Sequence, residues 1–463
     1  MDVADSSQMR QAEKMAAMSS GKKDRPSKPV KGGTSSTRKY RFQSFNQRIS
    51  KLSIDPIRRS RAVDLNHTDL SSTNSFFKEV LDRWKDTNLS ENFTSFVREV
   101  QPLCGSLPQL IHHQQCVMSI IVRYVEKRDS LSLEPLLDLL ANFAHDLGAR
   151  FESHFGAAVT LVASLAATHS AVEVIEWSFN CLTWLFKYLS RLLVPDLRPL
   201  FHIMAPLLGK EPQRAHITQF AAEALSYLIR RAAKSYHKNQ KPLNIVVQHV
   251  LDDLGSMEAL TETVELYQHG LMALFVDSIK GVERKLYSPG DQIYQTLVEH
   301  VLEATEIQQR RGAELICCVT TGLLHFTDAQ GFQPISEIIV NTIAKLNTGS
   351  RDASVAICGR WIFVAATVRK GSRITDWNPL LKALISLLRL CDIASNETYT
   401  QIYRAAAVIL QTSPLEVVLP YVRPAMHVLA QERHSQHFLT FCYDFHDLGA
   451  ERFHSLLFPY LSK

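Results

Sequence analysis

The 463-residue sequence lacks most of the short signatures that reveal enzymes and metalloproteins. No two of its eight cysteines form a C-x-x-C pair. None of its 18 histidines has a second pair of metal ligands with zinc-site spacing near it in the sequence. There is no phosphate-binding loop, no G-x-S-x-G elbow, no H-E-x-x-H and no dinucleotide fingerprint. The sequence therefore predicts a protein that is not an enzyme and that holds no metal and no cofactor.

Other signals of location and fold are missing as well. No stretch alternates apolar and polar residues for long enough to predict a sheet. The first residues include Asp2 and Asp5 and no apolar run, so we expect no secretory signal, and the cysteines scattered among apolar residues indicate a reducing compartment. Residues 155–172 lack charge but contain Thr160 and Ser164, which favours a buried helix over a membrane span.

What the sequence does contain is helical periodicity. Between residues 130 and 209, apolar residues recur every three or four positions in four successive segments, which predicts four amphipathic helices joined by short turns. Short turns force neighbouring helices to lie antiparallel. The four apolar stripes begin with Leu136, Phe151, Ile175 and Leu197.

The same pattern continues to the last residue and repeats about every 40 residues, the period of HEAT and armadillo units. The first helix of each pair is predicted to start near residues 132, 172, 213, 256, 307, 351, 396 and 433. We therefore expect an all-α, HEAT/armadillo-like helical-repeat solenoid over residues 71–463. The apolar face of the last predicted helix indicates that the array is truncated or uncapped at that end; it comprises Phe453, Leu456, Leu457 and Tyr460.

Residues 1–70 differ in character from the array. Residues 1–62 hold 15 Lys and Arg against 5 Asp and Glu, a net charge of +10, whereas the remainder carries −5. This composition predicts a disordered basic tail, either simply solvated or serving nuclear import and phosphate contact. The candidate nuclear-targeting residues are Lys22, Lys23, Arg25, Arg38, Lys39, Arg41, Arg58, Arg59 and Arg61. A short docking segment near residues 40–57 is expected either to form a brief helix or to dock on a partner.

One cationic cluster within the array is a candidate for RNA or phosphate contact, since basic residues and an aromatic ring can hold a backbone and stack a base. The alternative is a solvated loop that satisfies the helix dipole. Its residues are Arg230, Arg231, Lys234, Tyr236, Lys238 and Lys241, with His237 among them. A weaker candidate comprises Lys187, Arg191 and Arg198.

Several long strings resemble the N-terminal part of the U3 small nucleolar RNA-associated protein 20 family, also called small-subunit processome component 20. They include non-core residues, so the resemblance is more specific than a generic repeat pattern. The strings are YRFQSFNQRISKLSIDPI from Tyr40, LDRWKDTNLSENFTSFVREV from Leu81, LEPLLDLLANFAHDLGARFESHF from Leu133, EWSFNCLTWLFKYLSRLLVPDLRPL from Glu176 and FAAEALSYLIRRA from Phe220.

The resemblance implies a non-enzymatic scaffold of the small-subunit processome in the nucleolus, where U3 RNA guides processing of precursor RNA toward the small-subunit ribosomal RNA. The implied partners are pre-ribosomal proteins, with precursor ribosomal RNA or U3 RNA as further candidates, and neither a membrane nor a small-molecule substrate. The family continues far beyond the length of this chain. The alternative function is a transport or signalling adaptor of the importin or phosphatase-scaffold kind, which explains the repeats but not the strings.

Overall fold

A computed structural model describes residues 40–52, 75–193, 196–235, 241–257, 262–346, 358, 361, 376–390, 396–430 and 435–461. All described helices belong to one compact unit, Arg41–Lys463. In chain order they are α1 Phe45–Lys51, α2 Phe76–Thr87, α3 Glu91–Val100, α4 Leu107–His112, α5 Gln114–Glu126, α6 Ser130–Leu147, α7 Glu152–Thr168, α8 Val172–Leu193, α9 Arg198–Leu208, α10 Ala215–Ser235, α11 Lys241–Ser256, α12 Glu262–Ile279, α13 Gly290–Glu303, α14 Glu306–Phe326, α15 Ala329–Ala344, α16 Asn378–Leu390, α17 Asn396–Thr412, α18 Leu415–Leu429, α19 Ser435–Leu448, α20 Ala450–Leu456 and α21 Phe458–Leu461.

The described residues contain no strand, and their one isolated β-bridge joins Lys280 to Leu286. The prediction of an all-α repeat array is confirmed. First helices of the pairs begin at residues 130, 172, 215, 262, 306, 396 and 435, close to the predicted starts. The start predicted near 351 lies outside the described residues.

The helices form two layers, and each contacts its equivalent in the next pair. In one layer α6 packs on α8, α8 on α10, α10 on α12, and α12 on α14, and further along the chain α17 packs on α19. In the other layer the same succession runs through α7, α9, α11, α13, α15, α16 and α18. Each helix buries its apolar stripe between the two layers. The buried side chains therefore form one continuous apolar core that runs along the array.

Partly buried arginines recur between repeats. Each donates to backbone carbonyls at the C-terminal end of a helix, where the carbonyl oxygens have no partner in their own helix and carry the negative end of the dipole. The four are Arg214 at the end of α7, Arg230 at α12, Arg311 at α11 and Arg452 at α17. Part of the positive charge of the array is therefore taken up by contacts with its own helix ends.

The segment predicted near residues 40–57 contains the brief helix α1, which packs on α8 and α10 of the same chain. A capping box between Ser44 and Gln47 starts the helix. Phe45 is fully buried, with its ring centroid 5.5 Å from that of Phe220. Residues 41–52 thus form part of the helical body, because their apolar side chains find a complementary surface on it.

The last described helices differ in part from the predicted apolar end. Leu456 and Leu457 are buried because α20 packs back on α19, whereas Phe458 and Tyr460 are exposed.

The uncharged stretch of residues 155–172, which the sequence analysis compared with a membrane span, lies mostly in α7, within the array. Among the described residues, no helix combines the length and apolar character that crossing a membrane requires.

Candidate nucleic-acid interface

The predicted cationic cluster starts on the last turns of α10, and the structure gives its members different environments. Arg231 is half-buried and Lys234 is exposed, and the two lie three residues apart on one helix, so they are surface neighbours. Tyr236, His237 and Lys238 lie outside the described residues. Lys241 is the first residue of α11, and its side chain is likewise not described.

Arg230 points into the protein. Its guanidinium donates to the carbonyl oxygens of Asp277 and Ser278, and to that of Lys280 at 2.9 Å. It also lies over the ring of Tyr287, with 5.4 Å from Cζ to the ring centroid. Burial lowers the pKa of Arg230 from its ordinary value. These bonds connect Arg230 to the end of α12, so its guanidinium already has acceptors inside the chain.

The structure brings together two residues that the sequence analysis placed in separate candidates. Lys187 on α8 lies close to Arg231 on α10, and its pKa is lowered first by burial and then by the charge of Arg231. Like charges on two neighbouring helices create a positive potential that a bound phosphate group would relieve. We call Lys187, Arg231 and Lys234 the α8–α10 basic patch.

The docked helix α1 supports one edge of this patch. Phe45 packs against the ring of Tyr227, with 5.6 Å between centroids, and Arg231 lies over the same ring, with 4.9 Å from Cζ to the centroid. The backbone N–H of Asn46 donates to Glu223, one turn before Tyr227. Tyr227 thus joins α1 to the patch and presents an aromatic face to the guanidinium of Arg231.

The remaining basic candidates have other surroundings. Arg198 is exposed and pairs with Asp196, with 3.0 Å between Nη2 and Oδ2, so its charge is largely compensated. The side chain of Arg191 is not described. Of the predicted nuclear-targeting residues, Arg41 is exposed. The others lie outside the described residues: Lys22, Lys23, Arg25, Arg38, Lys39, Arg58, Arg59 and Arg61.

The pairing of Lys187 with Arg231 had a signal in the sequence. The two residues stand 15 and 16 positions after the starts of α8 and α10, which are equivalent helices of successive repeats. Parallel helices packed side by side place such positions at the same height. The predicted starts, 172 and 213, place the two residues 15 and 18 positions into their helices, within about one turn of each other, so the periodicity alone already brought the two basic candidates close together.

No family model matches the chain. U3 small nucleolar RNA-associated protein 20 of Schizosaccharomyces pombe is 30% identical over 433 residues, which are 93% of this chain and 16% of the relative. The protein of the same name from Saccharomyces cerevisiae is 29% identical over 75% of this chain and 13% of the relative. The chain thus spans about a sixth or less of the length of these curated relatives.

Two engineered proteins of known structure also align with the chain at low similarity. A designed armadillo repeat protein covers 52% of this chain with a TM-score of 0.26 and 14% identity, over 98% of its own length. An engineered protein covers 85% of this chain with a TM-score of 0.23 and 11% identity, over 99% of its own length. The assignment of a repeat array rests on the helix contacts of the chain itself.

Proposed function

Because the chain is homologous to a segment of the U3 small nucleolar RNA-associated protein 20 family, we propose that it acts in ribosome biogenesis as a non-enzymatic scaffold. In this proposal it belongs to the small-subunit processome of the nucleolus and supports U3-dependent processing of precursor RNA toward the small-subunit ribosomal RNA. The observation that carries the proposal is sequence identity of 30% sustained over 93% of the chain.

The architecture supports the scaffold role. Repeats that pack only on their neighbours leave a surface row on every helix, and such extended surfaces engage partners through many weak contacts. The partners we propose are other proteins of the pre-ribosome. The basic clusters of the first 61 residues, which include Arg41, are proposed to serve nuclear entry.

We propose direct RNA contact at the α8–α10 basic patch, with precursor ribosomal RNA or U3 RNA as the ligand. Lys187, Arg231 and Lys234 supply three positive charges on adjacent helices, which suits a phosphate backbone. Tyr236, Lys238 and Lys241 extend the proposed contact along the chain toward α11. Arg230 is left out of it, because its guanidinium binds the end of α12.

Crosslinking the chain to RNA in cells, followed by sequencing of the bound RNA, tests the proposal. The result expected is enrichment of U3 and precursor ribosomal RNA. Recovery of neither RNA, together with binding to a small GTPase, would support the transport adaptor instead.

A matched pair of variants then locates the contact. The triple variant Lys187→Gln, Arg231→Gln, Lys234→Gln removes the patch, and Lys382→Gln, Arg389→Gln, Arg404→Gln removes three exposed charges elsewhere. Each lost phosphate contact reduces the slope of log affinity against log salt by about 0.7 for single-stranded RNA. We expect the slope to fall by about 2 for the patch variant only. Equal slopes for both variants would exclude the patch as the RNA contact.

A further inference from the structure

Three of the five tryptophans of the chain line one groove on the surface of the array. The groove has a volume of about 300 Å³ and lies where α2, α6 and α8 meet. Residues of α6 and α8 enter it at spacings of three and four, so each helix presents one continuous row. Its polar and aromatic lining comprises Trp84, Glu134, Asp138, Trp177, Asn180 and Trp184.

The two carboxylates of the groove differ in their partners. Asp138 accepts hydrogen bonds from Arg83 and from the indole N–H of Trp84, both at 2.9 Å, so its charge is compensated. Glu134 accepts a bond from Trp177, and no ion pair of the described residues includes it. Desolvation, followed by the nearby charge of Asp138, raises the pKa of Glu134. A positive charge placed beside Glu134 would stabilise its ionised form and lower that pKa.

Indole faces and an uncompensated carboxylate together favour a cation. They disfavour a nucleic acid, because Glu134 and Asp138 would face its phosphates. A guanidinium fits better than an ammonium, since it is planar, stacks on indole and bonds a carboxylate through two N–H groups. We propose that this groove, lined by Trp84, Trp177, Trp184 and Glu134, binds an arginine side chain of a basic segment in a partner protein.

The chain already uses this chemistry one turn away on the same helix. Arg48 of α1 is buried on α8, where its guanidinium bonds Glu176 and Asn180 and lies 5.6 Å from the ring centroid of Phe179. Asn180 also lines the groove. An arginine held between a carboxylate and an aromatic ring is therefore an arrangement that α8 demonstrably accommodates. The proposal is independent of RNA binding and stands or falls separately from it.

Intrinsic fluorescence can follow the groove selectively, because its three tryptophans are half-buried while Trp361 and Trp377 are buried. The full chain is titrated with a short peptide containing Arg-Ser-Arg in a Gly/Ser background, and with matched Lys-Ser-Lys and Glu-Ser-Glu peptides. The result expected is a saturable fluorescence change with the arginine peptide, at least threefold weaker binding of the lysine peptide, and no change with the acidic one. Equal affinity for arginine and lysine would overturn the arginine assignment, and no binding would overturn the proposal.

Glu134→Gln keeps the shape of the groove and removes its charge, and Glu152→Gln on α7 is the matched exposed control. We expect Glu134→Gln to weaken the arginine peptide about tenfold, and Glu152→Gln to leave its affinity unchanged. Circular dichroism checks that both variants fold, and Trp184→Leu provides a second test at the aromatic wall. Unchanged affinity in folded Glu134→Gln, or stronger binding of single-stranded RNA than of the arginine peptide, would contradict the proposal.

Discussion

Arg48 and Glu176 form an ion pair between residues 128 positions apart in the sequence, and only 5% and 18% of their side chains are exposed. Arg48 lies on α1, and Glu176 lies on α8. The pair therefore fixes a seven-residue helix, too short to be stable alone, to the body of the array. Fixing α1 also orders the rings that support the α8–α10 basic patch, since Phe45 contacts Tyr227.

Replacing Arg48 with methionine should destabilise the array. The substitution keeps most of the volume but leaves Glu176 buried without its cation, which costs about 3 kcal/mol at a buried pair. Urea unfolding measures the change, and hydrogen exchange of residues 45–51 shows whether α1 detaches. Arg198→Met breaks the exposed pair with Asp196 and should have a much smaller effect, because solvent screens that pair. Equal effects of the two substitutions would show that the Arg48 pair has no special role.

Two helical glycines should respond oppositely to alanine. A Cβ on Gly270 of α12 would lie 2.2 Å from the carbonyl oxygen of Leu208, at the end of α9, so the two helices would have to separate. A Cβ on Gly156 of α7 meets nothing within 4 Å. We expect Gly270→Ala to lower the thermal midpoint and Gly156→Ala to stabilise by about 0.5 to 1 kcal/mol through helix propensity. A stable Gly270→Ala variant would argue against close packing of α9 and α12.

Much of the fold was predictable because repeat helices are specified locally. The stripe containing Ile175, Phe179 and Leu182 follows the helical period, and those side chains are fully or almost fully buried in α8. The starts of the pairs follow from the same periodicity, with deviations of a few residues at the less regular joins. The destination of α1 was not predictable, because Phe45 and Ile49 show which face is apolar but not which surface receives it.

The candidate site was predictable only in part. Charge alone gave Arg230 and Arg231 the same interpretation, although they are adjacent residues that point in different directions on α10. Arg230 binds carbonyl oxygens at the end of α12, which lie 47 to 50 residues further along the chain. No local sequence pattern reveals a partner at that separation. The tryptophan groove was missed for the same reason, since Trp84, Glu134 and Trp177 meet only when three helices pack.

The array should lose stability as the pH falls from about 6.5 to about 4, in part through His216. Burial, and then the charge of Arg214, lowers the pKa of His216 from 6.5 to about 4. Between those values the unfolded chain binds a proton that the folded chain does not, so unfolding is favoured as the pH falls.

His216→Phe should flatten this dependence, because a phenyl ring can stack on Phe42 as the imidazole does, with 4.0 Å between centroids, and never takes a charge. Urea midpoints at a series of pH values measure the dependence, and the same substitution at exposed His269 is the control. An unchanged slope in His216→Phe would assign the acid sensitivity to other groups.

Two deletions should separate the role of the basic tail from that of α1. Removing residues 1–62 takes away the basic clusters together with α1, so it should reduce nuclear accumulation, weaken RNA retention at low salt and expose the apolar surface that Phe45 covers. Removing residues 1–39 spares the capping box at Ser44 and the pair of Arg48 with Glu176, so the unfolding midpoint should not change while nuclear accumulation still falls.

Imaging of tagged chains measures nuclear accumulation, and urea unfolding measures the stability of both deletion variants. Normal nuclear accumulation without residues 1–39 would shift the targeting role to Arg41, Arg58, Arg59 and Arg61, because the shorter deletion keeps these candidate residues and the longer deletion removes them.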